Sequence, residues 1–516
     1  MKVAREKSYR LSTWFALLST VAVLLMLSQP VWASAPQRGG VLKINTIGLD
    51  TSDIHRHTGS IGVPQVFVES LTSISDTGQP VPWLAESWEI TPDGKTYTFT
   101  IRQGVKFHNG RTMTADDVMQ NFSRVKSEVE KGWLSGAMKK ISGFETPGEY
   151  TFVVKMSEPY APFLNLISEL WIMAPESEGW DKTITQPIGT GPFMFGTWNP
   201  QVSIHCPRFD QYWMKGQPYL DAVEFDLRDK SQPALGLRSG DYHISKLSGK
   251  HLPQVKKEKD ITLEPIKDTG WYFWSFNNRS PRKPFDNVKV RQAISYALDK
   301  KAYMNFIAKE NGIITNQMAK PGTFYWSETL HEADTHLEPN IELAKKILKE
   351  EGVVPEDITM KIVSWQTADY AQVAVQMVKQ LGFKVEHLAL DDLAAMKQLM
   401  QFDWDLAPFA SGPRADIFMR FVRMMTDGPN PGLWGGVQDP MFDKLCEDAV
   451  STVDDERRRA LYLMAWQRAL DYYYTVVAGH APNFFGVRNE VQDFKMGWTY
   501  SMHRPDSGIA FAWLKK

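Results

Sequence analysis

Apolar and polar residues alternate along VLKINTI (Val41–Ile47), the signature of a half-buried strand. YTFTIR alternates in the same way and puts Tyr97, Phe99 and Ile101 on one face. TPDGKT (Thr91–Thr96) supplies the Asp-Gly turn of a hairpin just before it. Thr114, with Asp117 three residues on, opens the helix ADDVMQNFSRV as a capping-box variant. Asp286 or Asn287 caps one long helix, VKVRQAISYALDKKAYMNFI. Asn340 caps IELAKKILKEE, which stops at Gly352. Near the C-terminus Leu461, Ala465, Ala469 and Tyr472 form a helical stripe behind DDERRR, a charge run that reads as a solvated helix start. Strands and helices alternate throughout, which predicts an α/β fold. Without a repeat or a low-complexity linker, the domains are expected to interleave.

The first residues change the picture of where this chain works. Lys2, Arg5, Lys7 and Arg10 form a basic head, followed by an apolar run from Leu11 to Leu27. Val31 and Ala33 occupy the −3 and −1 places of a signal-peptidase site, and the apolar run is short for a membrane span of about 20 residues. A removable leader (1–33) is expected, with cleavage before Ser34. No cysteine lies near that site, so lipid attachment is not expected. The net charge of −2 includes this basic leader, so the mature chain is mildly acidic and has no electrostatic footprint for nucleic acid or an anionic membrane. Its two cysteines, Cys206 and Cys446, read as buried free thiols.

Catalytic motifs are sparse. There is neither a G-x-S-x-G elbow nor an H-E-x-x-H zinc pair. HEADTH (His331–His336) spaces its histidines five apart, on different faces of a helix. PIGTGPF (Pro187–Phe193) lacks the Lys-Ser/Thr of a phosphate loop and reads as a tight turn entering a strand. HRH places His55 and His57 on the same side of an extended segment, as ligand-binding candidates or as surface histidines. No nucleophile, base and orienting group come together. The chain reads as a binding protein, not an enzyme, with no cofactor and no metal.

Several blocks together resemble the extracellular solute-binding proteins of family 5, the peptide-, nickel- and opine-binding components of ABC importers. LAESWEITPDGKTYTFTIRQGVKFHNGRTMTADDVMQNFSRV (Leu84–Val125) is similar to the family's signature block, with Ala85, Asp93, Thr96, Tyr97, Phe99, Ile101 and Arg102 at its pattern positions. PIGTGPF, RFDQYWMKGQPYLDAVEF (Arg208–Phe225), FNNRSPRKPFDNVKVRQAISYALDK (Phe276–Lys300), LGFKVEHLALD (Leu381–Asp391) and FDWDLAPFA (Phe402–Ala410) follow in family order. Gly104, Gly110, Asp117, Arg291 and Asp299 have structural readings at turns and helix ends. The resemblance implies a type II-like periplasmic binding-protein fold, two lobes joined by a hinge. Lobe I is expected to take 34–72, 186–270 and 485–516, with an additional domain inserted at 73–185, and lobe II to take 271–484. It also implies a monomer free in the periplasm that binds a small molecule in the cleft and delivers it to a membrane permease with cytoplasmic ATPases. A dipeptide or oligopeptide is the alternative ligand, and a secreted hydrolase or metal-handling protein on the same scaffold the alternative class.

The departures from the family pattern concern the ligand. GDYHI puts His243 where an aspartate is common. Peptide-binding members follow the strand after Asp405 with a Trp and then an aspartate for the peptide's α-amino group. Those positions fall at Ser411 and Arg414 here, and a one-residue shift gives Pro413 or Ala415, none of them acidic. An arginine at that place favours an anionic or strongly accepting ligand, because its planar fork pairs bidentately with carboxylate or phosphate. The other reading pairs Arg414 internally with Asp416 or Asp405. Trp434 in GLWGG, Trp365 in VSWQTADY and Trp271 in TGWYFW complete the candidate lining, each with a reading as core. The glycines beside Trp434 favour its exposure toward the cleft.

Overall fold

Val41–Asn45 forms a strand with Leu42 and Ile44 buried and Lys43 exposed, and lies at the centre of a seven-stranded sheet. A computed structural model of the chain describes residues 35–46, 49–57, 62–128, 134–228, 232–266, 270–412, 414, 416–497 and 501–516. The expected leader and Ile47 lie outside them. Residues 35–37 are irregular chain, and 38–516 form one body, to which everything below refers.

The central strand pairs in parallel with Ala222–Asp226 on one side and Ile244–Leu247 on the other. Ser203–Pro207 and Thr197–Asn199 extend the sheet beyond Ala222–Asp226, and Phe484–Arg488 and Ile261–Pro265 extend it beyond Ile244–Leu247. Leu42, Ile44, Val223, Phe225 and Val487 fill its core, together with the buried thiol Cys206.

A second sheet of six strands runs in the order Ile313–Ile314, Thr475–Ala481, Gly270–Phe276, Leu406–Ser411, Thr359–Trp365, Lys384–Leu390. The last three are parallel to one another, so their carboxyl ends, Ser411, Trp365 and Leu390, share one end of the sheet. Helices cover it. Asn340 accepts from Leu343 N at 2.9 Å to open Ile341–Glu350, and Gly352 follows at φ +71°. The expected long helix after Asn287 is two, Val288–Ala297 and Lys300–Ala308. Leu298 is extended (ψ 93°), and Asp299 caps the second helix by accepting from Ala302 N at 2.8 Å. Arg291, from the first, donates to the Tyr472 carbonyl at 2.9 Å. The helix Asp455–Asp471 departs from expectation on both faces. Arg458, inside the charge run, is buried, whereas Tyr472, the end of the expected stripe, is exposed.

The third sheet has the order Ala85–Ile90, Thr96–Ile101, Thr151–Met156, Ile141–Gly148, and the helix Ala115–Glu128 covers it. Gly94 makes its hairpin turn at φ +68°, and Thr114 N donates to Asp117 Oδ2 at 2.8 Å where the helix begins. Tyr97, Phe99 and Ile101 point into a core with Phe122 and Phe152.

Two chain crossings, between Pro265 and Gly270 and between Ala481 and Phe484, connect the seven- and six-stranded sheets. Their flanking residues lie side by side, because Ile266 N donates to Asn483 O at 3.0 Å and Gly270 pairs with Ala481. This is a two-lobed α/β fold with a double-stranded joint. The four-stranded subdomain also touches the six-stranded lobe. Ala161 N donates to Val450 O at 2.8 Å, and the Val450 side chain is buried in the subdomain's own core.

Candidate functional site

The loop carrying Arg414 leaves the six-stranded sheet at Ser411, the residue paired with Trp271. That is the end at which both crossings enter, and also the carboxyl end of the parallel strands, where open α/β sheets place their ligands. Position alone therefore brings Arg414 toward the space between the parts of the molecule. It lines a cavity of about 190 Å³.

Two walls enclose this cavity. The four-stranded subdomain and its flanks contribute Thr77, Gln79, Ile90, Tyr97, Leu164 and Asn165. The six-stranded lobe contributes Lys320, Phe324, Tyr325, Arg414, Asp416, Arg420, Asp455 and Arg458. Arg459 Nε holds the segment that carries Tyr325 by donating to Phe324 O at 2.6 Å, and Arg420 donates to Met318 O. Arg458 donates to Asp416 at 2.6 Å, a pair in which both side chains are buried, and its guanidinium lies 5.7 Å from the Tyr325 ring centre. Asp405 takes Arg282 instead, at 3.0 Å, and the amide of Lys361 at 2.7 Å. The two carboxylates expected as internal partners of Arg414 thus hold other arginines.

Charge is concentrated here. Arg423, against the face of Trp434 at 5.3 Å, has its pKa lowered to about 10 by burial and by the charges of Arg414 and Arg420. Glu169 lies within the reach of Arg414's charge; burial raises its pKa to about 7 against that pull. Sequence reading missed the burial of Arg458; the signal that could have found it is that 458, 462, 465 and 469 recur at helical spacing, with Tyr462, Ala465 and Ala469 all buried.

The other expected site residues lie elsewhere. Trp434 is only 5% exposed, against the expectation of an open face. Phe273 at 5.1 Å and Trp271 at 6.0 Å stack on it, so residues distant in sequence do the covering that the local glycines do not. Trp271 is fully buried in the same cluster, and Trp365 is half-buried, edge-on to Phe409 at 5.0 Å. His55 and His57 do not share a face of an extended segment. Arg56 N donates to Asp53 O, and the chain turns between the two histidines. His55 contacts Trp171 O at 2.8 Å and Arg124 at 2.9 Å, and burial lowers its pKa to about 4. His57 bonds Asp50. His336 of HEADTH borders a separate cavity of about 330 Å³ inside the six-stranded lobe, beside the buried Lys300–Asp334 pair. Among the described residues no group of three or more His, Cys, Asp or Glu side chains could hold a metal, and no helix is long and apolar enough to cross a membrane. Pro413 and Ala415, the shifted alternatives to Arg414, lie outside the described residues.

Sequence reading missed a polar centre on the opposite side of the subdomain. Glu69 is fully buried and accepts from Trp83 Nε1 (2.9 Å), Tyr212 OH (2.8 Å), Thr190 Oγ1 (2.8 Å) and Trp213 Nε1 (3.1 Å). Thr190 belongs to PIGTGPF, whose Gly189 and Gly191 lie so close to the Phe67 backbone that a Cβ would fall within 3 Å of it. Those glycines permit a close approach of the two backbones.

Comparison with known proteins places this geometry. The chain is 26% identical over 495 residues to di/tripeptide-binding protein 1 of Pseudomonas aeruginosa, covering 87% of this chain and 90% of the relative. It is 26% identical over 466 residues to the dipeptide-binding protein of Escherichia coli, covering 81% and 84%. The solved structure of the periplasmic binding protein AgaA from A. tumefaciens, in complex with agropinic acid, superposes with a TM-score of 0.75 at 24% identity, covering 92% of this chain and 99% of that one. The fold is thus that of the type II periplasmic binding proteins. The model of the bacterial extracellular solute-binding proteins, family 5, matches residues 79–431, and the chain belongs to that family.

Proposed function

We propose that this chain captures a small organic anion, carboxylated or peptide-like, in the cavity between its four-stranded subdomain and its six-stranded lobe. As a member of its family it is the substrate-binding component of an ABC importer. The finer reading makes it a periplasmic monomer that hands its solute to a membrane permease. The observation that carries the anion is Arg414 on the cavity wall, at the place where peptide-binding relatives are expected to hold an aspartate. A guanidinium there repels the ammonium end that an aspartate attracts and offers a two-pronged donor to an acid group. Closure around the solute follows from the double-stranded joint, since a ligand contacted from both sides favours the closed population.

Native mass spectrometry of the mature chain, purified gently from periplasm, tests the reading. The expected result is a bound acid, whose addition to stripped protein reduces the radius of gyration in small-angle scattering. A bound cation or uncharged solute would sink it. A second reading, an intact dipeptide, draws on the peptide-binding names of the relatives; in it the exposed Asp455 takes the ammonium.

A further inference from the structure

We infer that Gly249 and the end of the helix Lys300–Ala308 form a mechanical stop beside the joint, which sets the angle between the seven- and six-stranded lobes.

Both partners lie next to one crossing. On the seven-stranded side Leu247 pairs with Phe484, the first strand residue after the crossing from Ala481, and Gly249 follows shortly after it. On the six-stranded side Ile313 pairs with His480, the residue before Ala481, and the helix Lys300–Ala308 ends shortly before it. The two segments meet backbone to backbone. A Cβ built on Gly249 would lie 2.8 Å from Ala308 O and 2.9 Å from Ala308 Cα. Only a residue without a side chain allows that approach. An exposed ion pair, Lys256 to Glu310 at 3.2 Å, crosses the same border.

Each partner is braced from behind. Ser248 and His251 cap the short turn that carries Gly249, and Leu252 and Val255 share a core with Leu247 and Ile261. Opposite, Tyr303, Met304 and Ala308 share a core with Val476 and Ala478. Lys309 then turns the chain at φ +53° and ψ −143°, close to a region that residues with side chains seldom enter. Such a conformation persists where its surroundings over-determine it, and here it lies between the inter-lobe contact and the edge strand Ile313–Ile314.

A short lever makes the contact consequential. Carbon and a carbonyl oxygen in ordinary contact stand about 3.3–3.6 Å apart, so a methyl group at 249 must push Ala308 away by roughly 0.5–0.8 Å. Applied about one or two strand spacings from the crossing, that is about 5–10 Å, the shift rotates one lobe against the other by roughly 3–9°. The stop is a property of the joint and holds whatever the solute is.

The test is a distance measurement between the lobes. Nitroxide labels on Leu235→Cys and Leu393→Cys, exposed positions on the two lobes, report it by double electron–electron resonance in the mature chain stripped of small molecules. Cys206 and Cys446 are buried and do not compete for label. In that background Gly249→Ala should shift the mean label distance by about 2 Å or more. Lys256→Glu sets two carboxylates face to face across the same border. It should shift the distance in the same sense, by less, at low ionic strength, and lose the effect in about 1 M salt. Because Lys256 is exposed, this variant tests the stop even where Gly249→Ala fails to fold. An unchanged distance in a folded Gly249→Ala chain overturns the inference, because the turn has then relaxed locally. So does an unchanged distance in Lys256→Glu at low salt, or shifts of opposite sense in the two variants.

Discussion

The four-stranded subdomain has two borders, and they are built on opposite principles. Toward the seven-stranded lobe, one buried carboxylate, Glu69, receives four donors, while Trp83 stacks on His503 at 5.1 Å and Arg102 lies over Trp213 at 4.5 Å. Every charge there is answered. Toward the six-stranded lobe, cations outnumber carboxylates in the lining of a cavity, and among the described residues Ala161 N donates to Val450 O across the border. A saturated polar cluster holds a fold together, because breaking it strands several buried groups at once. A border with a cation-lined cavity leaves room for something from outside. On the function proposed above, the contrast separates a fixed border from a working one.

The largest effect should come from breaking the fixed border. Glu69→Ala strands the donors of Trp83, Tyr212, Thr190 and Trp213 in the interior, a loss of about 3–5 kcal/mol of stability readable by chemical denaturation. On the working border, Asp416→Asn leaves the buried Arg458 without its counter-charge. It should cost about 3 kcal/mol of stability and yet strengthen anion binding, a split between melting temperature and affinity that a purely structural pair would not show. Arg414→Ala should do the reverse. It should lose about 1.5–3 kcal/mol of binding, or roughly 10- to 150-fold by calorimetry, with little change in melting temperature. Unchanged affinity would return this arginine to a structural role.

The smallest effect is in pH. Burial raises the Glu69 pKa to about 7 from an ordinary 4.5, so between those values the folded chain holds a proton that the unfolded chain has lost. Taken alone, this group makes stability fall as pH rises through that window and level off above it, against the opposite slope of His55, His108 and His503, whose pKa values burial lowers to about 4. Glu69→Gln should remove this contribution, so that stability rises more steeply with pH between those values than in the parent chain. Glu169, whose pKa is raised to a similar value, contributes in the same direction as Glu69. An identical slope in Glu69→Gln would show that the carboxylate does not titrate in this range.

How far the sequence foretold this molecule depends on the range of the interaction. Caps and turns at Asn287, Asn340, Thr114 and Gly94 are local chemistry, and they were legible. So was the hydrophobic face of Tyr97, Phe99 and Ile101. The helix break at Leu298–Asp299 was not, although the aspartate that makes it is a recognisable cap. Arg414 was singled out through its place in a family pattern, yet its surroundings were out of reach, because Arg458 and Glu169 come from distant segments. Trp434 failed for the complementary reason: its neighbours in sequence are glycines, whereas its neighbours in space are Trp271 and Phe273.

Val450 gives the working border a clock. Its side chain belongs to a helix of the six-stranded lobe, Pro440–Val450, but lies in the core of the four-stranded subdomain, against which Phe418 also packs, edge-on to Tyr160 at 6.0 Å. Any motion that separates those two bodies must first pull an aliphatic side chain out of an apolar interior, at about 1.5–3 kcal/mol. On a rate scale that is roughly a 10- to 150-fold slower escape. On the function proposed above, how long a captured solute stays aboard is then governed partly by a residue outside the cavity wall.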